Sequence, residues 1–295
     1  MTLKAIEFFS GIGAFSEAVK QSRFDIEVVQ AFDQNEYANL SFEQNFALKP
    51  SSSNLDSVDL DEIYSDADIW WMSPPCTPYS RRGKGKDMED NRAQSLKHLI
   101  GAIKKHHPTT VLLENVLGFK GSDMEGHLLR ELESDGYFIS TVSLCPTDFG
   151  VPMRRPRVFL MLNREAPYLM PSPSVEAKSD LLDFLQEPQQ ELFLDSADVE
   201  RYRPVLNILP KTTGQTAICF TSGYFRCRKA AGSLIDEGDG RVRRFSPDEI
   251  LALLGFEDYN LPGTIPLPNR YRLVGNSVDV RSIKFLLENL LAGKV

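Results

Sequence analysis

The chain has 295 residues, 42% of them apolar and 25% charged, the make-up of an ordinary folded protein rather than a collagen-like, disordered or disulfide-scaffolded one. That length suits one large domain, or one large plus one small. The net charge of −8 gives no long-range attraction for phosphate backbones, so any nucleic-acid binding has to come from local basic patches. Cys76, Cys145, Cys219 and Cys227 form no Cys-x-x-Cys pair and have no histidine at zinc spacing. They predict thiols in a reducing cytosol, with neither a metal site nor a disulfide framework. Apolar runs such as 111–113 and 158–162 fall far short of a membrane span, so neither an anchor nor a signal peptide is expected.

The first half alternates short β-rich runs with helical patterns, the rhythm of a parallel sheet with crossover helices and hence of an α/β domain. Strands are predicted at 4–8, 26–32, 68–72, 110–113, 138–144 and 158–162. Between them lie helical segments at 13–21, at 92–105 with Leu96, Leu99, Ile100 and Ile103 on one face, and at 126–134. After Asn163 the rhythm breaks at Pro167, Pro171 and Pro173, and a smaller lobe is expected over 166–267. Within it Ser246-Pro247-Asp248-Glu249 reads as a helix start, with Ser246 as cap and Gly255 as the stop. A last amphipathic helix spans 279–291.

The first strand runs into Phe9-Ser10-Gly11-Ile12-Gly13-Ala14-Phe15, a glycine-containing turn that opens a helix where open α/β sheets bind nucleotides. A plain tight turn would need the same glycines. Asp33 ends the second strand, 20 residues beyond Gly13, the spacing at which a carboxylate grips ribose hydroxyls. Ser16 replaces the third glycine of the dinucleotide fingerprint, which argues against a pyrophosphate there.

The third strand ends in Ser73-Pro74-Pro75-Cys76, where two prolines stiffen the loop and hold Cys76 at the strand's carboxyl end. A nucleophilic thiolate needs nearby positive charge, and Arg81, Arg82, Lys84 and Lys86 follow directly. Glu114 ends the fourth strand, where a carboxyl beside the apolar interior serves general-acid work or an ordinary ion pair. Arg155 and Arg157 alternate onto one face of an extended segment, from which they could pair with Glu114. In the smaller lobe, 218–229 interleaves aromatic and basic residues, and Arg241, Arg243 and Arg244 form a second basic cluster suited to phosphate contact or simply to solvent.

In order, the Phe-Ser-Gly-Ile-Gly loop, Ser73-Pro74-Pro75-Cys76, Glu114-Asn115-Val116, Arg155-x-Arg157 and Arg272-Leu273-Val274-Gly275-Asn276-Ser277 resemble the motifs of cytosine-5 methyltransferases. Asp87-Met88-Glu89-Asp90-Asn91-Arg92 and Cys219-Phe220-Thr221 resemble the RNA-directed branch, the tRNA (cytosine-5) methyltransferases also called DNA methyltransferase homologue type two. Thr77, Tyr79 and Met153 depart from the usual residues of the family.

The resemblance implies a Rossmann-like S-adenosylmethionine-dependent methyltransferase domain over 1–165 plus 268–295, and a target-recognition domain over 166–267. It implies a Cys76 thiolate that attacks C6 of a cytosine, with Glu114 at the N3 edge and Arg155 and Arg157 positioning base and adduct. Phe9, Ser10, Gly11, Ile12, Gly13, Ala14, Phe15, Asp33, Leu55, Asp56, Asn276 and Val278 would surround the cofactor, which leaves as S-adenosylhomocysteine. Arg81, Arg82, Lys84, Cys219, Phe220, Thr221, Arg226 and Arg228 would meet the RNA. The expected protein is a cytoplasmic monomer acting on tRNA, without metal or membrane. Three alternatives stay open: a DNA cytosine-5 methyltransferase, a nicotinamide-dependent oxidoreductase, disfavoured by Ser16 and the Pro-Pro-Cys loop, and a non-catalytic RNA-binding module, which leaves Cys76 and Glu114 unexplained.

Overall fold

The structure is a computed structural model, and it describes residues 2–64, 66–79, 87–90, 93–175, 177–227, 229 and 231–292. The chain divides into two compact units: Met1–Leu144 with Pro156–Ser172 and Ile283–Val295, and Cys145–Arg155 with Pro173–Ser282.

Period-two alternation builds the first unit. Its elements are β1 (Leu3–Phe8), α1 (Ala14–Lys20), β2 (Ile26–Phe32), α2 (Glu36–Asn45), β3 (Ile69–Met72), α3 (Gln94–His106), β4 (Thr110–Val116), α4 (Asp123–Glu133) and β5 (Phe138–Leu144). After β6 (Met153–Arg154), which belongs to the second unit, comes β7 (Arg157–Asn163). The six strands of the sheet run β2-β1-β3-β4-β7-β5. Ile6, Phe8, Trp70, Met72, Val111, Leu113, Val158, Leu160 and Leu162 join Leu96, Leu99, Ile103, Met124 and Leu128 in one buried core. Alternate residues form the other face, where Trp71 stacks on Phe15 at 5.5 Å between ring centroids and packs against Phe159.

The expected strands and helices all form, with one difference of direction. β7 runs antiparallel to both β4 and β5, so the sheet is mixed rather than wholly parallel. β5 and β7 are joined without the crossover α-helix that parallel neighbours usually have. The fourth strand also runs to Val116, which takes Glu114 and Asn115 into the ladder.

The second unit is held by polar networks as much as by apolar packing. β8 (Asn207–Pro210) pairs with β10 (Ser233–Asp236), which pairs in turn with β11 (Val242–Arg244), while β6 pairs with β9 (Ala217–Ile218). Its helices are α5 (Ser196–Tyr202), α6 (Pro247–Leu253) and α7 (Leu267–Asn276), and α8 (Val280–Leu291) closes the chain. α6 starts as the sequence predicts: Ser246 accepts from the Glu249 amide, and the Glu249 carboxylate accepts from the Ser246 amide, a complete capping box. Phe220, Tyr224, Phe245 and Tyr271 pack edge-on around one aromatic cluster.

The cluster of Arg241, Arg243 and Arg244 is not uniformly surface. Arg243 is fully buried, forked onto Glu249 at 2.8 and 3.0 Å and paired with Glu237. Removing only the cation strands two carboxylates, which costs more than the intact pair contributes. Arg243→Met is therefore expected to lower unfolding free energy by about 3–5 kcal/mol in urea titrations, and a loss below about 1 kcal/mol would contradict this account.

Candidate active site

In sheet order β1 lies between β2 and β3, so the connections leaving β1 and β3 diverge and open a crevice at the carboxyl ends of these strands. The loop after β1 is strongly turned. Phe9, Gly11 and Gly13 all have positive φ, at 56°, 54° and 83°. Gly13 is required twice over, because a Cβ there would also lie 2.4 Å from the Phe46 ring.

Asp33 fixes this loop from β2. Its carboxylate accepts from the Gly11 amide at 2.8 Å and from the Asn35 amide at 2.8 Å. Burial nevertheless pushes its pKa up, the two amides offsetting only part of the lost hydration. A desolvated carboxylate of this kind gains from further hydroxyl donors. Ser10 Oγ is buried in the same loop and has no hydrogen-bond partner among the described residues. The loop thus presents an acceptor pair and an unsatisfied hydroxyl, a donor set that fits a nucleoside with vicinal hydroxyls.

Glu7, the charge that interrupts the apolar first strand, supports this loop from below. Its carboxyl lies on the sheet face covered by α1 and accepts from the Phe15 and Ser16 amides at 3.2 Å and from the Ser16 hydroxyl. Burial raises its pKa to about 8 from an ordinary 4.5. The signal was visible in the sequence as an acidic residue at an inward position of an apolar strand. Because the folded state binds this proton more tightly than the unfolded chain, the stabilisation it gives is complete below about pH 4.5 and is lost as pH rises towards 8. Unfolding free energies at pH 5 and pH 8 should differ by a few kcal/mol more in wild type than in Glu7→Gln; parallel pH profiles would refute it.

The Cys76 loop is tied to both neighbouring strands. Ser73 donates from its amide to the Phe8 carbonyl and from its hydroxyl to the Phe9 carbonyl at 3.0 Å, joining it to the loop after β1. Asn115, fully buried in β4, donates to the Pro74 carbonyl at 3.2 Å. Cys76 itself is exposed at the head of a 3₁₀ turn in which the Tyr79 amide returns to its carbonyl at 3.0 Å.

Glu114 is 7% exposed, and its Oε1 lies 2.9 Å from Arg157 Nε. The register explains the pair: Arg157 sits opposite Val116, so Glu114 is its diagonal neighbour on the same face. Arg155 has a different environment. It lies in the second unit, 3% exposed, and its guanidinium donates to the carbonyls of Phe220, Gly275 and Ser277 and to Cys219 Sγ at 3.1 Å. The structure thus pairs Arg157 with Glu114 and spends Arg155 on backbone carbonyls.

The other sequence candidates divide similarly. Ile12, Ala14, Phe15 and Leu55 are buried, and Asp56 is exposed. In the second unit Asn276 ends α7 exposed, and Val278 is buried just beyond it. The Phe220 ring belongs to the aromatic cluster, Thr221 bonds the Ala231 carbonyl, and Arg226 is exposed. Gly275 is pressed onto that segment, since a Cβ there would meet the Thr221 backbone at 2.4 Å. Arg81, Arg82, Lys84, Lys86 and Arg228 lie outside the described residues. Among the described residues no cluster of metal-ligating side chains occurs, and no helix is long and apolar enough to cross a membrane.

The sequence profile of the C-5 cytosine-specific DNA methylase family matches residues 3–292. The chain is 29% identical to a Dictyostelium discoideum protein named DNA (cytosine-5)-methyltransferase, covering 98% of this chain and 94% of that one. It is likewise 29% identical to a Spodoptera frugiperda tRNA (cytosine(38)-C(5))-methyltransferase, with 98% and 99% covered. The solved structure of the Entamoeba histolytica methyltransferase EhMeth superposes with a TM-score of 0.91 at 27% identity, over 100% of this chain and 99% of that chain. The chain therefore belongs to the C-5 cytosine-specific DNA methylase family and is an S-adenosylmethionine-dependent cytosine-5 methyltransferase.

Proposed function

We propose that this protein methylates C5 of an anticodon-loop cytosine in tRNA, at position 38 of tRNA-Asp or a related tRNA such as tRNA-Glu, through a covalent Cys76 adduct. The observation that carries this reading is the corner at the carboxyl ends of β1, β3 and β4, where hydrogen bonds tie the Cys76 loop to the loop after β1 and to Asn115, one residue from the Glu114–Arg157 pair. Such ties hold a nucleophile and an acid in fixed positions before substrate arrives.

Cys76 Sγ, as thiolate, adds to C6 of the base, and the electron pair displaced from the C5–C6 bond accumulates towards C5 and N3. Glu114 donates at the N3 edge and offsets that charge, and Arg157 orients the carboxyl group. S-adenosylmethionine, when bound, supplies an electrophilic methyl group. After C5 takes the methyl, the C5 proton passes to solvent, its electron pair re-forms the C5–C6 double bond and expels Sγ as thiolate, and the N3 proton returns to Glu114. Asp33 would take the ribose hydroxyls, the loop 9–15 with Leu55 would line the cofactor, and Asp56 would meet the adenine edge. In the second unit Arg155 holds the segment of Asn276 and Val278 through the Gly275 and Ser277 carbonyls. Cys219, Thr221 and Arg226 are the proposed RNA contacts there.

Two considerations favour tRNA. The similarity to a tRNA (cytosine(38)-C(5))-methyltransferase runs almost end to end in both chains, and an anticodon-loop base costs less to extrude than a duplex one. The similarity to a DNA (cytosine-5)-methyltransferase keeps duplex DNA as the second reading. Bisulfite sequencing of host tRNA with and without the enzyme, beside methyl transfer to duplex DNA, decides between them. A single protected anticodon-loop cytosine is expected, and transfer to DNA with unprotected tRNA would overturn the tRNA assignment.

A further inference from the structure

Leu117, immediately after β4, is 46% exposed, although Asn115 and Phe119 beside it are fully buried. Lone exposed leucines are common on surfaces, but this one stands on a segment clamped to the Cys76 turn. Phe119 packs edge-on against Tyr79 at 4.9 Å. Gly118 sits so close that a Cβ would meet the Tyr79 carbonyl oxygen at 2.2 Å, and Tyr79 in turn donates to the Cys76 carbonyl. The Leu117 carbonyl accepts from the Lys120 amide at 3.2 Å, closing the 3₁₀ turn. The segment that carries Leu117 is thus held against the Cys76 turn, and its half-exposed isobutyl group is an apolar projection beside that turn.

We propose that Leu117 is a specificity-determining residue, the surface against which the nucleobase adjacent to the target cytosine packs when the target leaves its stack. The inference rests on the proposed base-extruding reaction. Extrusion exposes one face of the neighbouring base, and covering it with a leucine removes apolar surface from water on both partners. A residue whose backbone is already held by its packed neighbours does this with little backbone ordering cost.

The test measures methyl transfer to an anticodon stem-loop and to a duplex DNA oligonucleotide, each with the bases flanking the target either intact or replaced in turn by an abasic site. On the preferred intact substrate Leu117→Ala is expected to lower kcat/KM roughly five- to tenfold, with S-adenosylmethionine affinity and thermal unfolding unchanged. Leu117→Met, which keeps volume and polarity, should stay within about twofold. With one flanking base abasic, wild type and Leu117→Ala should become equal, because the surface that Leu117 covers is gone. Equal rates on intact substrate, or a deficit that persists at both abasic positions, would overturn this inference alone. A wild-type enzyme inactive on both nucleic acids would overturn the reading of the reaction and this inference with it.

Discussion

Cys76→Ala is expected to abolish methyl transfer while leaving S-adenosylmethionine affinity within a few fold of wild type. The thiol is exposed, so truncation leaves no buried cavity to penalise folding. The loop is held by hydrogen bonds from Ser73 to the Phe9 carbonyl and from Asn115 to the Pro74 carbonyl, which the substitution leaves in place. Cofactor affinity should depend instead on the loop after β1 and on Asp33, which this change leaves intact. The bond from sulfur to C6 can no longer form, and without it C5 is a poor nucleophile. Single-turnover transfer to tRNA, with cofactor binding measured by calorimetry, checks both halves. Turnover by the alanine variant at more than a few per cent of wild type would exclude the covalent route.

Glu114→Gln is expected to lower kcat by at least about 10²-fold, again with little change in cofactor affinity. Glutamine keeps the shape of the side chain, and its carbonyl can still accept from Arg157 Nε. It cannot transfer a proton, and the negative charge beside the half-buried Arg157 guanidinium disappears. Arg157→Lys separates orientation from proton transfer: lysine keeps the charge but not the planar fork, so its loss should be the smaller of the two. An unchanged rate in Glu114→Gln would return Glu114 to the role of an ordinary ion-pair partner of Arg157.

Much of this protein is legible in the order of its residues. Alternating apolar runs produce β1 to β5, and the capping pattern at Ser246 places α6 because both signals are local. The turned loop after β1 follows from its glycines, with Phe9 in the left-handed region as an addition that composition alone does not reveal. Glu7 was visible as a charge within an apolar strand, but its function as the acceptor beneath α1 depends on which sheet face that helix covers. The burial of Arg243 was equally hidden, since Glu237 and Glu249 come together only through β10, β11 and α6.

The sequence by itself determined the six strands of the main sheet, the carboxyl-end positions of Cys76 and Glu114, and the family, because each rests on local pattern or on motifs in series. Tertiary structure decided the partners of the two arginines. Alternation alone puts Arg155 and Arg157 on one face. A parallel β7 would have carried Arg157, its first residue, to the edge of the sheet opposite Glu114. The reversal of β7 brings it diagonal to Glu114 instead, while the irregular segment between β6 and β7 sends Arg155 into the second unit, onto the carbonyls at the end of α7 and just beyond it. Strand direction and register are set by long-range pairing, which no local spacing encodes.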